Sequence, residues 1–145
     1  MITHSIEINR RPEDVFAYID QLDRHGEWQP DIVKTQVQTE GPTGVGTRAV
    51  DTRMIGRREQ NVPYEIVEHD PPRRSTFRGV AGPIRPVGTV IIDPLDDGAR
   101  ARVTIEFDLK GHGIGVLLAP LARRQAAKGI GAGQAKLKEN LERGA

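Results

Sequence analysis

The stretch IGVLLAPLARRQAAKGIGAGQAKLKENLE, residues 114–142, decides how the rest of the chain is read. Its apolar positions Ile114, Leu117, Leu121, Ala126, Ile130, Leu137 and Leu141 recur near every third or fourth residue, which is helical spacing. No other segment is long enough to back a whole sheet. Gly129, Gly131 and Gly133 work against this helix, each by about 0.8–1 kcal/mol relative to Ala, so either tertiary packing holds the segment or it bends. Pro120 predicts a kink or marks the true start. Between Asp31 and Leu109 the chain reads instead as short strands separated by Gly, Pro and Asp.

Residue 114 is reached through Gly111, Gly113 and Gly115, which release the chain from its clearest strand. There Ala101, Val103, Ile105, Phe107 and Leu109 face one side and Arg102, Thr104, Glu106 and Asp108 the other. One dry face and one wet face are expected of an antiparallel sheet covered on a single side. Working back, Asp96-Asp97-Gly98 predicts a tight hairpin into a strand over 88–93, and 79–88, with Pro83 and Pro86, predicts a loop bordering the sheet. Further strands are predicted over 74–79, 60–69, 47–55 and 32–39. Pro63 argues for an edge or a bulge in its strand. At the start, Ile2, His4, Ile6 and Ile8 alternate with Thr3, Ser5, Glu7 and Asn9 as a half-buried strand. Pro12, Glu13 and Asp14 then open a short helix with Val15, Phe16 and Ile19 on its greasy side, and a second helical piece covers 21–27. The expectation is an α+β chain in which a sheet curls around the tail helix and leaves a cavity between them.

A length of 145 residues fits one domain with a real core, spanning 1–145. The net charge of +1 and the scattered arginine pairs predict no nucleic-acid partner. There is no cysteine, so disulfides, thiolate nucleophiles and Cys-ligated metals are excluded. The polar start and the lack of a long apolar run predict a cytoplasmic protein without stable membrane insertion, as a monomer or homodimer.

Three pieces carry a resemblance: Ile6 to Asp20 with Trp28 shortly after, Tyr64 to Arg74, and Leu137 to Glu142. In this order and spacing the chain resembles the polyketide cyclase/dehydrase-like, START-like (SRPBCC) superfamily with the helix-grip fold. The resemblance implies a seven-stranded curved antiparallel sheet wrapped around a long C-terminal helix, with two short helices after the first strand. Function in such folds lives in the cavity lining rather than in the scaffold.

His4, His25, His69 and His112 show no paired metal-ligand spacing, so no metal is expected. The Gly-x-Gly runs lack a phosphate-cradling pattern, and no cofactor is expected. Ser5 and Ser75 sit on no nucleophile elbow. The remaining polar candidates lie in strands: Asp51, Arg53, Tyr64, Glu68, Arg78 and Glu106. Polyketide aromatase/cyclases are similar in using a cavity Arg and Tyr, and Arg53 and Tyr64 are the nearest counterparts here. Should both point inward, acid/base work is chemically reasonable. Solitary Trp28 either packs in the core or closes a pocket mouth. The small residues of the tail leave room for a hydrophobic or amphipathic ligand, or else permit close helix–sheet contact. The expected lining is Trp28, Phe77, Val90 and Ile92, with Val103, Ile105 and Phe107 from the last strand. Leu118 and Ala126 complete it from the helix.

Overall fold

In the computed structural model of the protein, which describes residues 1–144, the glycine-interrupted tail is one continuous helix, α2, Gly115–Glu142. Before it come β1 (Ile2–Ile8), α1 (Pro12–Ile19), a 3-10 helix (Leu22–Glu27), β2 (Ile32–Val37), β3 (Arg48–Ile55), β4 (Arg58–Asp70) and β5 (Arg74–Gly79). Strand β6 (Ile84–Leu95) and β7 (Arg100–Gly111) follow, joined by a turn at Asp96–Gly98. The seven strands form a single antiparallel sheet in the order β1-β7-β6-β5-β4-β3-β2, curved around α2. At the tight turn Asp96, Asp97 and Gly98 all take positive φ, a conformation Asp tolerates better than most residues and Gly adopts freely.

Tertiary contacts hold α2 where helix propensity alone would not. At its C-terminal end Leu137 and Leu141 are fully buried with Ile8, Val15, Phe16, Ile92 and Val103. Each such side chain contributes about 1.5–3 kcal/mol on burial. Gln134, also fully buried, donates to the carbonyls of His4 (3.1 Å) and Val103 (3.2 Å) and meets the His4 ring through its own carbonyl. Arg10 donates to the Leu141 carbonyl at 2.7 Å, one of the acceptors left free at the helix end. At the opposite end Ala119 and Ala122 pack with Ile84 and Leu109. Gly115 has no room for a side chain, since a Cβ there would lie 1.7 Å from the Pro83 carbonyl oxygen.

Two strand expectations need correction. The stretch 79–88 is not a border loop: β6 begins at Ile84, pairs with β7 from its first residue, and leaves only a short turn after Gly79. Pro63 lies in an internal strand, between β3 and β5. Its carbonyl still accepts from the Val80 N–H at 3.0 Å, one residue beyond the end of β5, so the missing N–H forgoes a single bond at the very end of that ladder. The bulge in β4 falls elsewhere, between Ile66 and Glu68.

Candidate ligand cavity

Because α2 is packed at both ends and carries small residues between them, its middle stands away from the sheet. Ala126, Gly129 and Ala132 on α2 face a cavity of about 570 Å³ whose far wall is the concave face of the sheet. A Cβ at Gly129 would meet nothing within 4 Å, whereas one at Gly133 would lie 3.2 Å from the Trp28 carbonyl oxygen. The open volume expected of the small residues is found at 129, while at 133 the glycine permits close approach to the Trp28 segment, which lies outside the sheet.

Of the expected lining, Trp28, Phe77, Val90, Ile105, Phe107 and Ala126 border this cavity. Ile92, Val103 and Leu118 do not, and these three are corrected. Ile92 and Val103 share the concave face with Val90 and Ile105, but lie where Leu137 and Leu141 fill the space above them. Leu118 packs against the Ile84, Leu109 and Ala122 cluster at the start of α2.

The polar candidates divide by strand face. Asp51, Arg53 and Tyr64 line the cavity. Glu68 and Arg78 are exposed, Glu68 binding Arg74 at 2.6 Å, and Glu106 lies on the strand face opposite Ile105 and Phe107. Arg53 is held on several sides. It donates to both oxygens of Asp31 at 3.1 Å, to Gln29 at 2.7 Å and to Asp51 at 3.0 Å. Thr35 donates to the second oxygen of Asp51 at 2.7 Å. Burial works against the Arg53 charge, but Asp51 and Asp31 more than offset it and its pKa rises. Gln29, Asp31 and His25 are wall residues that the sequence reading missed. They sit in the turn-forming segment around Trp28, where no periodicity marks an inward face.

Tyr64 and Trp28 are different. Both are buried, and among the described residues the Tyr64 hydroxyl and the Trp28 Nε1 are the two buried side-chain polar atoms without a hydrogen-bond partner. Each ring has an edge-to-face neighbour, Phe77 at 5.4 Å and His25 at 5.3 Å. Burial, with the field of Asp51 adding to it, pushes the Tyr64 phenol far above its ordinary range, so it stays protonated.

His25 bonds the Ile19 carbonyl through Nε2 at 2.6 Å, and burial lowers its pKa despite that bond. With the unfolded value near about 6.5, the unfolded chain binds more protons just below that pH. Stability therefore falls as the pH drops from about 7 toward about 5.5, above the range where carboxylates titrate. Thermal midpoints across this interval are expected to decline in the native protein and to decline less in His25→Gln. Equal slopes would contradict this account.

The family model for polyketide cyclase / dehydrase and lipid transport proteins matches residues 1–142. The chain belongs to that family. Solved structures of the same fold include TTHA0849 from Thermus thermophilus, with 20% identity, TM-score 0.76 and 99% of each chain covered. The Zhui aromatase/cyclase from a Streptomyces species is similar at 13% identity and TM-score 0.79, over 98% of this chain and 93% of its own. A START superfamily protein from Mycobacterium smegmatis is similar at 11% identity and TM-score 0.76, with 97% of each chain covered. A search of curated proteins returned no match. Like these structures, this polyketide cyclase/dehydrase family member is a helix-grip protein, and among its described residues no helix is long and apolar enough to cross a membrane.

Proposed function

We propose that this protein takes up one small hydrophobic or amphipathic molecule in the cavity between the sheet and α2. The observation that carries the reading is a space of about 570 Å³, bordered mainly by apolar side chains and kept open by helix packing on either side of it. Ligand pockets commonly occupy about 300–1,000 Å³ and combine an apolar lining with a few polar groups. Nile red, whose emission rises in apolar surroundings, tests it directly. Saturable one-to-one binding in the micromolar range is expected. Emission that rises only linearly with dye concentration would count against a defined site.

A second reading, an aromatase/cyclase or dehydratase with Arg53 and Tyr64 as acid/base groups, is favoured by their place on the same wall. Binding has the better support. Arg53 is engaged by two carboxylates and an amide, which leaves it poorly placed to polarise a substrate carbonyl, and a phenol with a strongly raised pKa is a weak proton donor. A place in the cytoplasm, as a monomer or homodimer, is proposed from the sequence alone.

A further inference from the structure

Two features coincide at the end of the molecule where α2 begins. The first is apolar exposure. Ile114, Val116, Leu117 and Leu121 all stand out from the surface, Leu117 at 80% exposure, and among the described residues they include every exposed isoleucine and leucine. The β5–β6 turn adds Val80 and is held to the helix start by the His112 N–H, which donates to the Pro83 carbonyl at 2.8 Å. Contiguous exposed apolar residues mark an interaction surface. The second feature is charge. Arg57 and Arg58 flank the β3–β4 turn, whose Gly56 lies against Leu121. Arg85 and Lys110 stand at the same end of the sheet, directly opposite each other across β6 and β7, a pairing of like charges that by itself destabilises a sheet. Arg124 and Lys128 continue the exposed face of α2 that Leu117 and Leu121 begin. Among the described residues none of these six cations has a carboxylate within 4 Å. The exposed carboxylates nearby in the sheet are Glu59 and Asp108, the second 3.9 Å from Arg123. The whole chain carries only +1, so this positive charge is local.

We propose that this end of the molecule docks reversibly on an anionic lipid bilayer, with Ile114, Val116, Leu117 and Leu121 seated among the headgroups and the six cations against lipid phosphates and carboxylates. The inference stands whether or not the cavity is filled. Shape favours a bilayer over a protein partner. Successive helix residues project about 100° apart, so Ile114, Val116 and Leu117 fan over roughly 160° of the first turn. A flat protein face covers one of these directions, whereas a headgroup layer closes around all of them. Charge disfavours a second copy, which would bring an identical set of cations against the first.

Co-sedimentation of the full chain with vesicles tests this, using phosphatidylcholine alone and phosphatidylcholine with about one-third phosphatidylserine. Binding is expected to be more than about tenfold tighter on the anionic vesicles, since each cation engaged is worth about fivefold, and to fade between about 0.1 and 1 M salt. Leu117→Ser is expected to weaken binding to the anionic vesicles by about fivefold to tenfold, and Arg124→Glu by about tenfold or more. Both side chains are exposed and neither borders the cavity. Each variant should therefore keep close to the native thermal midpoint and, without vesicles, native Nile red binding. Equal binding to the two kinds of vesicle, or anionic binding untouched by Leu117→Ser, would overturn the inference and leave the cavity reading intact. Self-association that Leu117→Ser abolishes would overturn it too, in favour of a second copy on this face.

Discussion

Gly129→Leu is expected to raise the thermal midpoint and, in the same protein, to weaken Nile red binding by roughly tenfold to a hundredfold. The two effects have separate causes. A glycine in the middle of α2 costs the helix about 1 kcal/mol relative to Ala, most of which a leucine recovers. The substitution starts without a clash, because a Cβ at this position has open space around it. That space is the cavity, and a ligand sharing it with a leucine is overpacked by about 1–3 kcal/mol, the penalty that sets the loss of affinity. Gly131→Ala is the control. A Cβ at residue 131 would lie 3.5 Å from the His4 ring, an ordinary contact, and the residue does not border the cavity, so the midpoint should rise with binding unchanged. A stabilised Gly129→Leu protein that still binds dye at native affinity would place the ligand elsewhere.

Arg53→Ala is expected to cost about 3 kcal/mol of stability, read as a shift in the urea midpoint. The loss arises at Asp51, whose side chain is 4% exposed and would be left with only Thr35 as a partner. The figure sits at the low end for a broken buried pair because the Arg53 side chain retains 21% exposure. Arg53→Met combined with Asp51→Leu removes both charges and should recover most of the loss. If Arg53→Ala leaves the urea midpoint unchanged, the guanidinium is not the structural tie described here, and its role as a reagent returns to consideration.

The sheet and the grip of α2 upon it were legible because their signals are local. The alternation from Ala101 to Leu109 names its buried face within one strand, and the spacing of Leu137 and Leu141 names the buried stripe at the end of the helix, whereas Ile114, Leu117 and Leu121, expected on that same stripe, are exposed. The cavity was legible only in outline. Val90 and Ile92 lie on the same face of the same strand, yet Val90 borders open space and Ile92 is core. Strand parity cannot separate them. What separates them is whether α2 places a small residue or a leucine above, and that depends on a register set far away in sequence. Gln134 helps set it, reaching His4 across 130 positions, and Gln125 adds a tie at the rim by accepting from the Gly56 N–H at 3.0 Å. Neither glutamine has an apolar pattern to announce its contacts. Helix propensity misled for a related reason, since the glycines that weaken α2 locally are those that let it approach Trp28 at one point and stand off at another.

The central claim is that the middle of α2 leaves usable space against the sheet, and a crystal of the protein grown with Nile red tests it most directly. Density for the dye is expected between Gly129 and the side chains of Val90 and Ile105, with α2 unbroken from residue 115 to 142. A helix packed down onto those side chains, with no ligand density and no room for it, would contradict the account.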